Sequence, residues 1–548
     1  MIKTNPIKLP NDNRFKSFAN GYVYFKGKTI WDKEKKRSID DRRCVGKLCT
    51  DKKGYFQPNE IYYSLFPEST ILEEPGELDS YLHVGAYLAL REAAIKCGAL
   101  ESLKRAFPNS WDTILAYSIF RVDTEKSRSQ RYEKWGFSNY SGLDHSISTE
   151  DASRRFASIK YSDIDMFRSE FRKNYKASKI SNRKLVIAFD STNINTNSNN
   201  LETAEFGHPK KNERLPIVST ARGVDESTGI PVYYEDFIGS LLDKTQLETT
   251  QRKIKELGFK NVFFVFDRGY YKSEELRKIA QSNSFAIMVP DNVMTSFDYI
   301  EHNGMHIKDQ EAYFIKSENA YGIQLESDNF LNRHTYTYIF YDERSAIKTK
   351  ETIHSKILNA IRLLENRKYD DELAKEYSKY LIITKGKDGK NLIEENLKVI
   401  QKEINFAGFF RALSNEKLTP EDRLMRLRKR DRAEKVFCQR KSFTDSEKSY
   451  CHGTNTYIGR SFVLFFALII RLAFRFFEQQ YFDKERYVSD DTTATILGYV
   501  SKLIAYKSTT GVWQRKYALT CKRKSIFKSL DYDEDKIDSF LKLELKSV

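Results

Sequence analysis

The chain has 548 residues, 40% of them hydrophobic and 14% aromatic, which is enough to bury large cores and predicts a globular protein of three or four structural units. It carries 92 Lys and Arg against 76 Asp and Glu, and the net charge of +16 suits a polyanionic partner. Six irregularly spaced cysteines are too few for a disulfide framework, and no apolar signal core follows the first residues. These features argue against a secreted disulfide-rich protein and predict a reducing cytoplasm.

The first predicted region, residues 1–75, is basic and rich in strands. Aromatic and apolar residues alternate with Lys at residues 22–28, and a second strand is predicted at residues 44–48. Aromatic side chains between cations can bind nucleic acid, while an ordinary hairpin with a solvated outer face produces the same pattern. Residues 76–180 are predicted to be helical, with apolar segments at residues 87–94 and 114–120.

Residues 181–290 alternate between strands and helices. The predicted order is strands near residues 185, 216 and 231, a helix at 244–257, a strand at 261, a helix from 272 and a strand at 285–290. The first three strands are expected to form an antiparallel meander within a mixed sheet. Two of the apolar strands end in a carboxylate, Asp190 in one case and Asp267 in the other.

The next region, residues 291–410, is predicted to be a strand-rich insertion. The chain between Asp267 and residue 411 is too long for a loop, so it must contain structure of its own. Alternating β-branched and aromatic residues predict a strand at residues 335–341, and a helical segment is predicted near residues 354–366.

A third carboxylate, Glu434, lies in a predicted helix. Residues 423–437 contain no Gly or Pro and have apolar residues at helical spacing. At 100° per residue, Leu427, Arg430, Glu434 and Lys441 fall within a stripe of roughly 60° on one helix face. The glutamate is therefore flanked by two cations along that stripe.

The end of the chain is predicted to be helical as well. The apolar run at residues 462–470 stops at Arg471, short of the roughly 20 residues that span a bilayer, and predicts a core helix with no membrane contact. Residues 482–548 carry two basic clusters, Arg515-Lys516 and residues 522–524. These clusters suit a contact with DNA or a second protomer, or simply a solvated basic face.

Three carboxylates that converge in one site repel one another and raise their pKa values unless a divalent cation neutralises them. Carboxylate oxygens favour Mg²⁺ or Mn²⁺, and two such ions can promote in-line displacement at a phosphodiester. Arg430 and Lys441 would then hold phosphates beside the metals. Each residue alone also has a simpler interpretation, since a strand-end Asp is commonly a turn residue and an Arg–Glu pair four apart is commonly a solvated ion pair.

The combination resembles the DDE transposases of bacterial insertion sequences, in the IS-four superfamily branch whose signature is Tyr, two residues, Arg, three residues, Glu, six residues, Lys. Arg430, Glu434 and Lys441 match this signature in identity and spacing, whereas Leu427 stands at the tyrosine position, so the phosphate contact of the family tyrosine is missing. Further matches follow in the family's order: Asp190-Ser191-Thr192, residues 206–212 with Lys210 and Lys211, Leu215-Pro216, residues 228–231, Gly239-Ser240 with Asp243, and residues 267–271 with Arg268.

The resemblance implies an α/β protein with an RNase H-like catalytic core, a mixed sheet flanked by helices. The core comprises residues 181–290 and 411–481 and is interrupted by the insertion, with an N-terminal DNA-binding region, a helical end-binding region at 76–180 and a helical C-terminal region at 482–548. It further implies that Asp190, Asp267 and Glu434 are catalytic and hold two Mg²⁺ or Mn²⁺ ions. The implied DNA-binding residues are Arg430, Lys441, Lys210, Lys211 and Arg268.

The implied activity is metal-dependent cleavage of transposon ends and strand transfer into target DNA. The enzyme is expected to act in a bacterial cytoplasm, nucleoid-associated when bound, as a homodimer that pairs two terminal inverted repeats in a synaptic complex. Two alternatives remain open: an RNase H-like nuclease that cuts without joining, and a catalytically inactive, transposase-derived DNA-binding protein. Hairpin-forming relatives place a base-stacking tryptophan within the insertion. All four tryptophans of this chain lie outside it, so the sequence leaves the excision route open.

Overall fold

The structure of the protein is a computed structural model. It describes residues 6–32, 37–66, 81–125, 131–143, 147–178, 180, 186–198, 200–206, 215–240, 249, 252–253, 263–266, 271, 283–290, 294–327, 334–365, 370, 374–375, 377–386, 390–428, 448–449, 451, 453–484, 492–508 and 511–545.

The strands are β1 (Ile7–Lys8), β2 (Phe15–Ser17), β3 (Tyr22–Asp32), β4 (Arg37–Leu48), β5 (Tyr55–Pro58), β6 (Tyr81–His83), β7 (Val186–Thr196), β8 (Ile217–Asp225), β9 (Pro231–Ile238), β10 (Phe263–Phe266), β11 (Ser284–Met288), β12 (Phe314–Ile315), β13 (Ala320–Ser327), β14 (Thr335–Tyr341), β15 (Leu381–Lys385), β16 (Asn391–Glu395), β17 (Phe409–Ser414), β18 (Lys448–Ser449), β19 (Ile504–Lys507) and β20 (Trp513–Arg515). The helices are α1 (Glu60–Leu65), α2 (Gly85–Lys96), α3 (Ala99–Ala106), α4 (Trp111–Thr124), α5 (Tyr132–Gly136), α6 (Thr149–Ala157), α7 (Tyr161–Ala177), α8 (Met294–Asn303), α9 (Glu343–Leu364), α10 (Leu397–Phe406), α11 (residues 420–428), α12 (Thr454–Lys484), α13 (Thr493–Ser501), α14 (Cys521–Ser529) and α15 (Glu534–Leu543).

The chain forms two compact units. Unit 1 comprises Met1–Asn182, Thr192–Ser240 and Val436–Val548, and unit 2 comprises Arg183–Ser191 and Leu241–Lys435. Strand β7 contributes residues to both units. The division therefore follows the fold and not the order of the sequence, because unit 1 is assembled from three separated stretches of chain.

The amino-terminal part of unit 1 is a five-stranded sheet of order β1-β5-β4-β3-β2. Alternate residues of its strands point inward, as the period of two requires. They form a core with α1, which starts at Asn59 because the side chain of this residue accepts hydrogen bonds from two backbone N–H groups of the first turn. The buried core residues are Val23, Phe25, Val45, Phe56 and Tyr62.

Helix α12 is the central helix of unit 1 and packs against α2, α4 and α6. By length and composition Thr454–Phe482 could cross a membrane, with a mean hydropathy of 1.8, but 89% of that window is buried within the protein. The sequence predicted a core helix from a nine-residue run and underestimated its length. Arg471 does not end the helix, because its buried guanidinium pairs with Glu125 at 2.6 Å.

The antiparallel hairpin of β8 and β9 also lies in unit 1, with β8 beside the second half of β7. It contains a buried ionic cluster. Arg168 of α7 lies 3.1 Å from Glu235 and donates to the backbone oxygen of Tyr234. Asp236 accepts hydrogen bonds from Thr220 and from Ser461 of α12, and burial raises the pKa of its carboxyl. These contacts fix both helices to the hairpin.

The carboxyl-terminal part of unit 1 contains α13 to α15 and a three-stranded sheet of order β20-β19-β6. Its basic clusters do not form a solvated face. Arg515 pairs with Asp538 at 2.6 Å and Arg523 with Glu60 at 2.9 Å, and both arginine side chains are more than nine-tenths buried. Lys524 forms an ion pair with Glu534. The solvated interpretation was wrong for these three residues, because acidic partners from other elements neutralise them.

Unit 2 is built on a sheet of order β12-β13-β14-β17-β11-β10-β7. The strands β7, β10 and β11 are parallel, and the remaining neighbours pair antiparallel. Strand β14 has the bounds that its alternating sequence predicts, Thr335–Tyr341. Four successive side chains of β14 are buried, because Tyr338 and Phe340 belong to one core of unit 2 and Ile339 belongs to another.

A second, smaller core in unit 2 is formed by α9, α10 and the β15–β16 hairpin. Helix α9 begins before the segment predicted near residues 354–366, because Asp342 caps it and accepts a hydrogen bond from the backbone N–H of Ser345. The residues of this core are Ile353, Ile357, Ala360, Leu364, Leu381 and Ile400.

Candidate active site

The two strands that precede the predicted catalytic aspartates in the sequence are parallel neighbours in unit 2. Strands β10 and β7 pair from Phe263↔Val186 to Phe266↔Phe189. Phe189 is followed by Asp190 and Phe266 is followed by Asp267. The sequence predicted two strands that each end in a carboxylate. Strand β7 instead continues past Asp190 to Thr196, and it is a direct parallel neighbour of β10.

One face of β10 is covered by α11. Phe263 and Val265 belong to one buried cluster together with Leu424 and Leu427 of α11. Because successive side chains of a strand alternate between its two faces, these two residues define one face of β10. Helix α11 therefore packs on the face of β10 that Phe263 and Val265 form.

The other face of β10 is formed by Phe264 and Phe266, whose rings stack at 5.5 Å between centroids. On β7, Val186 packs against the same cluster as Phe263. Val186 and Phe263 are also register partners. The face covered by α11 thus extends from β10 onto β7.

Local sequence explains where α11 starts. Thr419 and Asp422 form a reciprocal cap, in which the threonine hydroxyl accepts from the Asp422 N–H at 3.1 Å and donates to the Asp422 carboxylate at 2.8 Å. Pro420 occupies the first helical position, where its missing N–H costs nothing. The hydroxyl of Tyr338 holds the preceding turn, since it accepts from the Leu418 N–H at 2.9 Å and donates to the Leu418 oxygen at 3.0 Å.

Two arginines anchor the first turns of α11 to the sheet. Arg423 is fully buried, and its guanidinium lies 5.2 Å from the ring of Phe263 and 5.1 Å from that of Tyr338. It donates to the backbone oxygen of Glu416 at 2.8 Å, and burial lowers the pKa of Arg423. Arg426 lies 5.1 Å from the ring of Phe263 and pairs with the Glu416 carboxylate at 3.1 Å. Arg423 thus exchanges water for one hydrogen bond and two cation–π contacts, while the partly exposed Arg426 keeps one cation–π contact and an ion pair.

Arg428, on the last described turn of α11, reaches the strand-rich insertion. It donates to the backbone oxygen of Glu318 and lies 3.0 Å from its carboxylate. It also pairs with Asp342, the residue that caps α9. All three side chains are at least two-thirds buried, so the contact connects α11 to two separate segments of the insertion.

Leu427, at the position of the family tyrosine, is a core residue. Only 4% of it is exposed, and it packs in the cluster that contains Phe263 and Leu424. In this chain the position therefore serves packing between α11 and the sheet. A leucine fits this role because it brings no hydroxyl that would need a partner.

The remaining predicted site residues fall outside the described structure. For Asp190 the structure describes the backbone, which lies in β7, and not the side chain. Seven further site residues lie outside the described residues altogether: Asp267, Glu434, Arg430, Lys441, Lys210, Lys211 and Arg268. Within the part of the chain that is described, no three His, Cys, Asp or Glu side chains are grouped to hold a metal.

Sequence reasoning missed the anchoring residues of α11. Arg423, Arg426 and Arg428 entered only as members of the helix predicted at residues 423–437 and were given no role of their own. The available signal was a short predicted helix that follows Thr-Pro and contains both Leu and Arg. This helix carries more cations than a solvated face requires. Their aromatic and acidic partners are distant in sequence, so the pairing itself could not be predicted.

Comparison with known proteins identifies the family. Residues 181–470, more than half of the chain, match the family model described as the transposase DDE domain. Among solved structures, the chain matches the cryo-EM structure of a piggyBac transposase synaptic complex with hairpin DNA. The match covers 76% of this chain and 79% of that one, with 7% sequence identity and a TM-score of 0.37. No curated protein matches the chain. The matched residues include β7, β10 and α11, and the chain belongs to the family of proteins with a transposase DDE domain.

Proposed function

We propose that the protein is a DNA transposase that cleaves phosphodiester bonds at the ends of its mobile element and joins the freed 3′ hydroxyls to target DNA. The observation that carries this proposal is the pairing of Phe189 with Phe266, each directly before an aspartate. Neighbouring strands lie about 4.8 Å apart. Two carboxylates at equivalent positions of such strands are close enough to share a ligand.

The same alternation that defines the face under α11 extends to the two aspartates. In the sequence Asp267 comes two residues after Val265, and Asp190 comes four residues after Val186 along β7. We infer that both carboxylates belong to the face on which α11 packs.

The third carboxylate would come from the continuation of α11. Glu434 is seven residues after Leu427, which is about two helical turns and about 10 Å along the axis. Seven residues return a helix to nearly the same direction, so a continued helix would present Glu434 on the side where Leu427 meets the sheet. The anchoring of α11 by Arg423, Arg426 and Arg428 supports this path for the helix.

Three carboxylates fit Mg²⁺ or Mn²⁺, which prefer oxygen ligands. Asp190, Asp267 and Glu434 would hold two such ions. When bound, the ions neutralise charge on the scissile phosphate and favour ionisation of the attacking hydroxyl. Bound cations would also offset the repulsion between carboxylates on adjacent strands.

The protein's own residues would position the DNA. Arg430 and Lys441 would bind phosphates next to the three carboxylates, the arginine through two parallel N–H donors and the lysine as a point charge. The further contacts proposed for the DNA backbone are those of Lys210, Lys211 and Arg268. Water attacks in the first step and the freed 3′ hydroxyl takes its place in the second, so that one site performs both reactions. Two ends must be paired, which calls for a homodimer on DNA.

We further propose an RNase H-like core of the kind found in the bacterial insertion-sequence branch. Support comes from the order of strands along the chain: β7, then the antiparallel β8 and β9 in unit 1, then β10 and β11, which are parallel to β7 in unit 2. The long segment before α11 contains the strand-rich insertion, with β12 to β17.

Two other functions remain as alternatives. A nuclease of the same architecture would cut without joining, and a transposase-derived DNA-binding protein would do neither. Leu427 had been a reason to consider the inactive protein. Its burial in the core favours a packing role at this position, so the substitution alone does not indicate decay.

The test is cleavage of a labelled duplex that carries the element's terminal repeat, in Mg²⁺, in Mn²⁺ and in EDTA, followed by strand transfer with pre-cut ends. The proposal expects metal-dependent cutting and joined products from the wild type, and neither from Glu434→Gln. Glu421→Gln is the matched control, because Glu421 lies in the first turn of α11 and accepts a hydrogen bond from Ser317. Cutting without joining would establish the nuclease, and binding without cutting would establish the inactive protein.

A further inference from the structure

Part of the amino-terminal hairpin projects beyond its sheet. Strands β3 and β4 pair from Tyr22↔Lys47 to Asp32↔Arg37. Their outer neighbours are much shorter, since β2 pairs only as far as Phe25 and β5 only with residues 46–48. We call residues 26–32 and 37–43 the β-arm. It is a two-stranded ribbon in which β3 pairs with β4, and at its base the Lys26 N–H donates to the backbone oxygen of Arg14.

The β-arm leaves a large aromatic side chain in water. Trp31, one residue from the described end of the ribbon, is 60% exposed and is paired across the ribbon with Ser38. A register shift between Lys26 and Thr29 marks the base of the arm. Such a bulge increases the twist of a ribbon and turns it away from the sheet it leaves.

The charge of the β-arm is positive. Its residues, 26–32 and 37–43, contain five Lys and Arg against three Asp and Glu. Two of the acidic residues are already paired near the base, Asp40 with Lys26 at 3.0 Å and with Arg42 at 3.2 Å, and Asp41 with Arg43 at 2.9 Å. Lys28 is exposed between this base and the tryptophan.

We propose that the β-arm binds in a groove of duplex DNA, with Trp31 against the groove wall and Lys28 at a phosphate. The inference rests on the proposed function, for which it assigns a DNA contact to unit 1. A two-stranded ribbon fits the major groove, which is about 12 Å wide. From Lys26 to Asp32 the arm spans about 20 Å at roughly 3.3 Å per residue, enough to follow the groove across several base pairs.

Charge decides between DNA and a protein partner. Protein interfaces are depleted of lysine at their centres, whereas DNA interfaces are strongly basic. A ribbon of net positive charge with an exposed lysine, Lys28, and an exposed tryptophan matches the second case. Free ribbon edges also attract other strands unless charges cover them, and the cations of the arm reduce that hazard.

The experiment measures binding of a fluorescent duplex of about 30 base pairs, carrying the element's terminal repeat, to the full chain at several salt concentrations. We expect Trp31→Ala to weaken binding about tenfold, as loss of an aromatic contact to nucleic acid does. Lys28→Ala should weaken it a few-fold and lower the slope of log Kd against log salt by about one. Phe137→Ala and Lys134→Ala are the matched controls, since both side chains are exposed elsewhere on unit 1 and should leave Kd unchanged.

The wild type is assayed for cleavage in parallel, which separates the two proposals. If the wild type cleaves while both arm variants bind like the controls, the inference is overturned and the proposed function stands. If the arm variants lose binding while the wild type never cleaves, the arm contact stands and the proposed function fails. If Trp31→Ala instead lowers self-association of the DNA-free protein in sedimentation and leaves Kd unchanged, the arm is a protein contact and the inference is wrong.

Discussion

Phe189 of β7 and Phe266 of β10 are register partners in neighbouring parallel strands, and an aspartate follows each of them in the chain. In the proposed site these two aspartates lie side by side just beyond the paired residues. Two carboxylates introduced side by side would each disfavour ionisation of the other. A cation shared between them removes that cost, and the first prediction follows from this sharing.

Asp190→Asn and Asp267→Asn should each abolish metal binding and DNA cleavage. We expect the cleavage rate to fall about a thousandfold or more, because a bound ion contributes several kcal/mol of charge stabilisation. Binding of Mn²⁺ to the full chain, followed by electron paramagnetic resonance, gives a readout that does not depend on activity. Asp298→Asn is the control, since this aspartate is exposed on α8 in the same unit. Unchanged Mn²⁺ affinity in both site variants would contradict the shared-ion model.

Leu427→Tyr, which would restore the family signature, should destabilise the protein and not improve it. The position is 4% exposed and packed among Phe263 and Leu424, so a larger, polar side chain must displace its neighbours. We expect a loss of about 1–3 kcal/mol in the free energy of unfolding, measured by urea denaturation. Leu427→Ala should cost about 2–5 kcal/mol through the cavity it leaves.

Leu358→Ala provides the reference for that series. Leu358 lies on α9 and is 55% exposed, so its loss should change the free energy of unfolding by no more than about 0.5 kcal/mol. A stable Leu427→Tyr variant with tighter DNA binding would instead indicate that the tyrosine can reach a phosphate, and that packing is not the main role of the position.

Arg428 and Asp342 should couple α11 to the insertion. The two side chains form an ion pair and are about one-third and one-fifth exposed, so solvent weakens the pair without removing it. We expect a coupling of about 1 kcal/mol in a double-mutant cycle of Arg428→Met and Asp342→Asn, read by urea denaturation. The asparagine preserves the cap of α9, because its side-chain oxygen can still accept from the Ser345 N–H. Additive single-mutant effects would show that the contact carries no coupling.

Local patterns predicted much of the fold. Alternation of Thr, Tyr and Ile gave β14 its bounds, and the apolar runs before Asp190 and Asp267 were correctly expected as strands. The register that places those strands side by side was beyond reach, because it depends on pairing between residues that are distant in sequence.

The errors had the same cause. Arg471 was noted only as the residue that interrupts an apolar run, and a solvated face was the preferred interpretation of the clusters that contain Arg515 and Arg523. In each case the arginine is buried and pairs with an acidic residue from another part of the chain. A sequence shows where a charged residue lies but not which residue pairs with it. Local pattern therefore does not determine the role of a single cation.

Cys521 should be the most reactive of the described thiols near neutral pH. It is the first residue of α14 and shares a hydrogen bond with Cys44 of β4, which lowers the pKa of Cys521 to about 6 and raises that of Cys44. A thiol with a lowered pKa is already thiolate at pH 7, and the thiolate is the form that iodoacetamide alkylates. The alkylation rate of Cys521, followed by peptide mass spectrometry, should therefore rise with a midpoint near pH 6.

Cys44→Ala should move that midpoint upward toward the ordinary thiol value of about 8.5, because the hydrogen bond that stabilises the thiolate is gone. Two other cysteines serve as internal references in the same digest. Cys97 is fully buried and should remain unlabelled in the folded protein, and Cys49, whose pKa is raised by burial, should react slowly at pH 7. If Cys521 titrated near pH 8.5 in the wild type as well, the hydrogen bond to Cys44 would not favour the thiolate, and this prediction would be wrong.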